Sequence, residues 1–259
     1  MIITTWNING VKARLEAALT YLRQASPDVV CLQEIKSVDE GFPAEAFQDL
    51  GYQVATHGQK GFNGVALLSK HGLEDVTRGL PGDDVDAQSR WIEALVPFGK
   101  DMLRVASIYL PNGNPIGTEK FTYKLAWMRR LESHARARLE EETPLVLAGD
   151  FNVIPEPVDA KRPKAWVNDA LFQPESRSAF RALSYLGLTD AIRACHPQTG
   201  VYTFWDYQAG AFQKDDGIRI DHILLSAQAA DRLASAGVDR QVRAQEKPSD
   251  HVPVWAELV

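Results

Sequence analysis

The chain has little cysteine and no long apolar run. Cys31 and Cys195 are its two cysteines among 259 residues, too few for the disulfide framework of a small secreted protein. No apolar run approaches the roughly 18 residues of a membrane span, and the first residues lack the basic leader and apolar stretch of a secretory signal. We therefore expect a cytoplasmic protein that has no membrane partner.

Positive charge is also scarce. The net charge is −6, from 28 lysines and arginines against 34 aspartates and glutamates, whereas proteins that bind nucleic acid usually carry a basic surface. Two facts weaken this argument. Carboxylates that bind a metal are neutralised in use, and the segments 129–130 (Arg-Arg) and 161–164 (Lys-Arg-Pro-Lys) are locally basic. The charge balance lowers the expectation of a nucleic-acid partner without excluding it.

Several apolar runs end in carboxylates or amides. The runs 29–32, 145–149 and 218–220 lead to Gln33-Glu34, Asp150-Phe151-Asn152 and Asp221-His222, and Asp250-His251 opens the apolar segment 252–255. Buried strands seldom carry charge unless the charge is paired or binds a metal. If these ends meet, they form one mouth lined with oxygen ligands, which suits a hard cation such as Mg²⁺. Histidine beside such a cation indicates metal-assisted phosphate ester chemistry.

The periodicity predicts short strands mixed with a few helices. Apolar spacing predicts helices at 12–24, 119–142 and 176–186, and strands at 2–7, 29–32, 64–69, 91–96, 103–110, 202–207, 218–225 and 253–258. The strands 91–96 and 103–110 are expected to form a hairpin across the turn 98–101. Because candidate ligands lie at both ends of the chain and in its middle, we expect one domain over residues 1–259, of class α/β, with two packed, mainly antiparallel sheets flanked by helices.

Seven motifs occur in the order found in one known family. They are Trp6-Asn7-Ile8-Asn9-Gly10, Leu32-Gln33-Glu34, Tyr109-Leu110-Pro111-Asn112, Gly149-Asp150-Phe151-Asn152, the segment 202–207 (Tyr-Thr-Phe-Trp-Asp-Tyr), Ile218-Arg219-Ile220-Asp221 and Ser249-Asp250-His251. Over essentially its whole length the chain resembles the exonuclease III type of abasic-site endonuclease, within the endonuclease/exonuclease/phosphatase superfamily. The resemblance implies a four-layer α/β sandwich and metal-dependent hydrolysis of phosphodiesters.

The resemblance also implies the metal ligands. Glu34 is the leading ligand, with Asn7 beside it and Asp250 as a second carboxylate. Carboxylate and amide oxygens suit Mg²⁺, and Mn²⁺ is expected to substitute for it. For Glu34 considered alone, a solvated glutamate at a strand end is an equally good interpretation.

Catalytic roles follow from the same resemblance. Asp150 and Asn152, two residues apart, would face the same way on an extended strand and place and deprotonate the attacking water; an Asx-type turn is the competing interpretation. Asp221 would fix the tautomer of His251 and raise its basicity, so that the charged ring stabilises negative charge at phosphorus. His222 should point to the opposite face of the strand and have a structural role.

Substrate contacts complete the candidate site. Tyr109 is expected to contact the phosphate at the reaction centre, and Asn112 and Arg90 to contact DNA phosphates. Phe204, Ile218 and Ile220 match the positions of a small apolar pocket that admits a sugar without a base and excludes an intact nucleotide. Plain core packing is an equally good interpretation of Ile220.

Two loops have less definite interpretations. The segment 154–173 follows Asn152 and includes Lys161, Arg162 and Lys164, which are either phosphate contacts or ordinary solvated charges. The segment 208–216 should probe the groove opposite the lesion, but Ala209, Gly210 and Ala211 offer no strong intercalating wedge.

These observations predict a Mg²⁺-dependent nuclease of DNA repair. It would cut duplex DNA on the 5′ side of an abasic site, degrade or clean 3′ ends, and act as a monomer. One alternative keeps the hydrolysis and changes the substrate to RNA or a small phosphoester. The other is a catalytically silent protein that binds nucleic acid.

Overall fold

The computed structural model describes residues 1–198 and 200–259 and contains two six-stranded sheets. The strands are β1 (Ile2–Asn7), β2 (Val29–Gln33), β3 (Gln53–His57), β4 (Val65–Ser69), β5 (Glu74–Arg78), β6 (Trp91–Phe98), β7 (Asp101–Tyr109), β8 (Leu145–Asp150), β9 (Thr189–Asp190), β10 (Asp221–Leu225), β11 (Leu233–Val238) and β12 (Val254–Leu258). The helices are α1 (Leu15–Ala25), α2 (Ala44–Gln48), α3 (Glu119–Glu140), α4 (Pro174–Tyr185), α5 (Ala191–Cys195) and α6 (Ala227–Ala230).

Each sheet contains one parallel pair of strands among antiparallel neighbours. The first sheet has the order β11-β12-β1-β2-β4-β3, and the second has the order β5-β6-β7-β8-β10-β9. The parallel pairs are β1 with β2 and β7 with β8. Their last register partners are Asn7 with Gln33 in one sheet and Tyr109 with Asp150 in the other. The carboxyl ends of four strands therefore bring predicted site residues to the same end of the molecule.

The packing forms four layers. The inner faces of the two sheets enclose a core that includes Ile3, Cys31, Val105 and Val146, all fully buried. Helix α1 covers the outer face of the first sheet, and α3 and α4 cover that of the second. This arrangement confirms the predicted four-layer α/β sandwich, and it places Cys31 in the core.

The hairpin of β6 and β7 has the predicted register, with Phe98 opposite Asp101 at the turn. The predicted strand 202–207 is wrong. Phe204 makes only isolated bridges, to Ile218 and to His251, because this segment crosses between elements of both sheets and so cannot follow one partner strand. For the same reason β10 begins at Asp221 and not at Ile218.

Four strands that the periodicity did not predict, β3, β5, β9 and β11, are the edge strands of the two sheets. They are short and only partly buried, so their sequences carry a weak apolar signal. Within the described residues, no helix combines the length and apolarity that crossing a bilayer requires.

Candidate active site

The candidate site lies where the two parallel strand pairs end. Directly after β2, Glu34 adopts a left-handed backbone conformation with φ 48°, which is uncommon for a residue other than glycine. The main chain after it is fixed, because the amide N–H groups of Ile35 and Lys36 donate to the carbonyls of Gly64 and Asn63. This turn directs the Glu34 carboxylate toward Asn7 instead of continuing the strand.

A buried carboxylate–imidazole pair joins the two sheets. Nδ1 of His251 lies 2.8 Å from Oδ2 of Asp221, and Nε2 of His251 lies 3.7 Å from Oδ2 of Asp150. The Thr203 hydroxyl donates to Asp221 Oδ2 at 2.6 Å, which fixes that carboxylate in place. Burial alone would lower the pKa of His251, but Asp221 and Asp150 raise it to about 10. The ring is therefore an imidazolium at neutral pH.

Asp150 receives hydrogen bonds from the end of β1 in the other sheet and from the main chain that follows it. Its Oδ2 accepts from Asn7 Nδ2 at 2.9 Å, and its Oδ1 accepts from the N–H of Asn152 at 2.9 Å. Burial, opposed by the charge of His251, raises the pKa of Asp150 to about 7. A carboxyl group with a raised pKa is suited to take up a proton near neutral pH.

Asp150 and Asn152 do not share one face of an extended strand, and that prediction is wrong. Asn152 has φ 46° and does not continue the strand, and its N–H closes an Asx-type turn on Asp150. The turn still brings the two side chains into one mouth. The Asn152 amide donates to the Leu110 carbonyl at 2.9 Å and accepts from Asn112 Nδ2 at 3.2 Å.

Glu34 and Asp250 form a second group of acidic residues beside Asp150 and His251. Glu34 Oε1 accepts from Asn7 Nδ2 at 2.9 Å, and Glu34 Oε2 lies 2.9 Å from Lys36 Nζ. Burial would raise the pKa of Glu34, but Asn7 and Lys36 hold it below its usual value. Asp250 reaches the same region through Asn9, whose Nδ2 donates to Asp250 Oδ1 at 3.0 Å.

The donor chemistry here fits a hard divalent cation. The carboxylate of Glu34 is ionised and lies at the mouth. It already binds one cation, the ammonium of Lys36. Asn7 directs its amide nitrogen at Glu34 and Asp150, while its oxygen accepts from the N–H of Asn9 at 3.1 Å. Asp150, Asp221 and His251 also have potential ligand atoms within 4.8 Å of one another. The imidazolium form of His251 has no free lone pair, so the Glu34 group is the better metal site.

Tyr109 and Arg90 lie together at one side of the mouth. The Arg90 guanidinium stacks on the Tyr109 ring at 4.9 Å and donates to the Tyr109 carbonyl at 3.2 Å. Burial and the carboxylates of Glu34 and Asp150 raise the pKa of Tyr109 well above its ordinary value. The phenol is therefore neutral and available as a donor.

The three residues of the predicted apolar pocket are in contact. Phe204 is partly exposed, whereas Ile218 and Ile220 are only 1% and 2% exposed. All three belong to one apolar cluster with Trp166 and Phe172. The Phe204 ring meets the His251 ring edge-on at 5.0 Å, so this cluster borders the reaction centre.

Two predicted loops have definite positions. The segment 154–173 docks on Gly217, whose carbonyl accepts from the N–H of Lys161 at 3.0 Å. Arg162 is paired with Asp216 and is thus already engaged, whereas Lys161 and Lys164 are exposed. In the segment 208–216, Phe212 packs on Trp205.

His222 lies away from the mouth, as predicted. Its Nε2 lies 3.0 Å from the Val153 carbonyl, and burial lowers its pKa to about 4. Four residues to which the sequence analysis assigned no role also contact the site: Asn9, Lys36, Thr203 and Ser249. Asn9, Thr203 and Ser249 lie inside the family motifs, and Lys36 lies two residues after Glu34, so their positions beside predicted residues were a usable signal.

Two sheets that bring a carboxylate–imidazole pair and a separate acidic group to one mouth define a metal-dependent phosphoester hydrolase. The chain belongs to the endonuclease/exonuclease/phosphatase family, whose model matches residues 4–251.

Three known proteins are similar to this chain over its whole length. Exodeoxyribonuclease III of Haemophilus influenzae is 37% identical over 266 residues, which span 100% of both chains. The 3′ phosphatase NExo from Neisseria, solved with a product DNA hairpin, is 39% identical with a TM-score of 0.95, covering 100% of this chain and 99% of that one. An AP endonuclease from Archaeoglobus fulgidus is 36% identical with a TM-score of 0.93, at the same coverage.

Proposed function

We propose that this enzyme is a divalent-metal-dependent phosphodiesterase of DNA repair. It cuts duplex DNA on the 5′ side of an abasic site, and it also degrades and cleans 3′ ends. The observation that carries this proposal is the buried Asp221–His251–Asp150 line beside Glu34, at one mouth formed by both sheets. The relatives named exodeoxyribonuclease III, AP endonuclease and 3′ phosphatase support the same set of activities.

Glu34, Asn7 and Asp250 would hold the metal, with Mg²⁺ as the natural ion and Mn²⁺ as a substitute. When bound, such an ion polarises the phosphate and offsets its charge. Lys36 Nζ lies 2.9 Å from Glu34 Oε2 and donates to Asn9 Oδ1 at 2.6 Å, and Asn9 donates to Asp250, so a chain of hydrogen bonds joins the two carboxylates. The assay below measures cleavage with each of the two metals.

Asp150 and Asn152 place the attacking water. As the water oxygen bonds to phosphorus, Asp150 takes its proton, and the bond from phosphorus to the 3′ oxygen breaks. The 3′ oxygen takes a proton from solvent water and becomes a hydroxyl, while the phosphate stays on the abasic sugar, and Asp150 then releases its proton to solvent. The raised pKa of Asp150 suits this transfer at neutral pH.

His251, Tyr109 and the DNA contacts stabilise the transition state. The imidazolium, held by Asp221, and the neutral Tyr109 phenol offer N–H and O–H donors where negative charge develops on the phosphate. Arg90 and Asn112 contact neighbouring phosphates and set the position of the strand.

The apolar group of Phe204, Ile218 and Ile220 selects the lesion. A sugar without a base fits against these side chains, whereas an intact nucleotide is too large. Turning an abasic nucleotide out of the helix also costs little, because no base has to be unstacked.

We further propose that residues 1–259 form one domain and act as a monomer on double-stranded DNA. The order of the first sheet supports a single domain, because β1 lies between β2 and β12 and so joins distant parts of the chain. The cytoplasmic location stays a prediction.

A labelled duplex with one abasic site tests the proposed function. The expected result is cleavage on the 5′ side of the lesion with Mg²⁺ or Mn²⁺ and no cleavage with a chelator. Matched duplexes carrying a 3′-phosphate or a plain recessed 3′ end measure the other two activities. A folded protein that leaves all three duplexes intact in Mg²⁺ would overturn the proposal.

A further inference from the structure

A fully buried lysine lies beneath the site and has no part in the proposed chemistry. Lys124 is on α3 and is 0% exposed. Its Nζ donates to the main-chain carbonyl of Asn112 at 3.1 Å and to that of Asn152 at 2.5 Å. Across 1–198 and 200–259, these two carbonyls are its hydrogen-bond acceptors, and no carboxylate is among them. A buried ammonium bonded only to neutral groups is costly, and burial accordingly lowers its pKa to about 7.

The two carbonyls belong to residues with proposed roles in the reaction. Asn112 follows β7 and contacts DNA phosphate, and Asn152 follows β8 and holds the attacking water. Their side chains are joined by the 3.2 Å hydrogen bond from Asn112 to Asn152. Lys124 joins the same two residues through their main chains, so the pair is tied twice.

The Lys124 side chain is held in place at its backbone and along its length. Helix α3 is anchored on the second sheet by Trp127, Met128 and Leu131, all buried in one cluster. The loop lies directly on the lysine stem, since a Cβ on Gly113 would be 2.6 Å from Lys124 Cδ. Gly113 also has φ 88°, a conformation that glycine adopts readily. The helix and the loop therefore hold Nζ in place, whereas the ammonium of a lysine on the surface is mobile.

From this placement we propose that Lys124 is a positioning residue for phosphodiester cleavage. It holds the main chains of Asn112 and Asn152 at one spacing, so that a phosphate contact and a water contact act together. It does not touch the substrate. The inference rests on the proposed function, because it uses the roles given there to Asn112 and Asn152.

Lys124→Met tests the inference by removing the ammonium and keeping most of the volume. Because a displacement of about 1 Å at a reaction centre can lower the rate about 100-fold, kcat on the abasic duplex is expected to fall on that order. Met128→Ala is the matched control: Met128 lies on the same helix and is buried in the core, but its side chain offers no N–H donor to the carbonyls of Asn112 and Asn152. If Met128→Ala lowers kcat as much for the same loss of thermal stability, Lys124 is merely structural and the proposal is overturned.

A double-mutant cycle separates positioning from stability. If Lys124 acts through Asn152, adding Lys124→Met to Asn152→Ala should lower kcat little further, whereas independent effects would multiply. Multiplied effects overturn the proposal. Should Lys124→Met fail to fold, Lys124→Gln takes its place, because its shorter side chain cannot reach both carbonyls; an unchanged kcat then counts against the proposal.

The activities of wild type and of the Lys124 variants test the proposed function and the positioning role separately. A wild-type protein that does not cut the abasic duplex removes the proposed function. A wild-type protein that cuts, with both Lys124 variants as active as it is, removes only the positioning role.

Discussion

Nδ1 of His251 lies 2.8 Å from Oδ2 of Asp221, although the two residues belong to different sheets. Asp221 begins β10 of the second sheet, and His251 lies three residues before β12 of the first. The pair forms only when the sheets are packed in one relative position. The charge on the ring thus depends on the packing of the two sheets, because Asp221 and Asp150, the two carboxylates that raise the pKa of His251 most, come from the other sheet.

Asp221→Asn should lower kcat by about 100- to 1,000-fold at neutral pH, because the pKa of His251 falls and the cation at the phosphate is lost. The wild-type ring, with its pKa raised to about 10, stays charged through neutral pH. The ratio of wild-type to variant kcat should therefore grow as the pH rises through the ordinary histidine value of about 6.5. Rate profiles against pH measure this ratio, and a ratio that does not vary with pH would show that Asp221 acts otherwise.

Glu34→Ala should abolish cleavage with little effect on the fold, because Glu34 is partly exposed at the mouth and lies outside the core. Activity measured against Mg²⁺ concentration, together with thermal unfolding, checks both parts. Glu40→Ala is the control, since Glu40 is an exposed glutamate a few residues on. Full recovery of the Glu34 variant at high Mg²⁺ would contradict its role as the main ligand.

Phe204→Ala should relax the preference for an abasic over an intact nucleotide, because it removes the exposed wall of the apolar group. The ratio of kcat/KM on the two duplexes measures this preference. Phe172→Ala is a matched control in the same cluster, where the ring lies under the Arg177 guanidinium. If Phe204→Ala has the same ratio as wild type, the pocket lies elsewhere.

Asp159→Asn should destabilise the fold by about 1.5–3 kcal/mol, because it replaces one of the two carboxylates that pair with the buried Arg219 by a neutral amide. Arg219 is 1% exposed, and its Nε lies 2.8 Å from Asp159 Oδ1 and its Nη1 2.7 Å from Asp190 Oδ2. Urea unfolding at neutral pH measures the difference from wild type. A difference below about 1 kcal/mol would be that of an ordinary surface pair.

The difference in unfolding free energy between wild type and Asp159→Asn should decrease at low pH. Burial would raise the pKa of Asp159, but Arg219 and Arg193 hold it below its ordinary value. The contribution of Asp159 is then complete above the unfolded-state pKa of about 3.9 and is lost as the pH falls through the lower folded value. Wild type and Asp159→Asn should therefore differ by a constant amount down to about pH 5, and by less below about pH 4.

Much of the fold could be predicted from apolar periodicity. The β6–β7 hairpin and the long helix α3 have strong patterns, and the sequence places both within a few residues. The segment 202–207 looks like a strand because four of its six residues are aromatic and one is a β-branched threonine. Its hydrogen bonds instead go to Ile218 and Asp250 in turn, which no local pattern records.

The candidate site was predictable where residue type and strand end coincide, as for Glu34 and Asp221. For Asp150 and Asn152 the sequence left an extended strand and an Asx-type turn open, because the contacts that hold the left-handed conformation of Asn152 come from another loop. Lys124 was invisible for another reason. A lysine on an amphipathic helix is normally solvated, and only the tertiary structure shows that this one is buried.

Strand β1 pairs with β12 across almost the whole chain, Ile2 standing opposite Glu257. A ribosome therefore releases the first strand of this sheet long before its neighbour exists, and domains generally fold as units during synthesis. His251 reaches Asp221 only when β12 has taken its place beside β1. The growing chain consequently carries no working nuclease, and the capacity to cut DNA arises in a single step, after the last strand has been inserted.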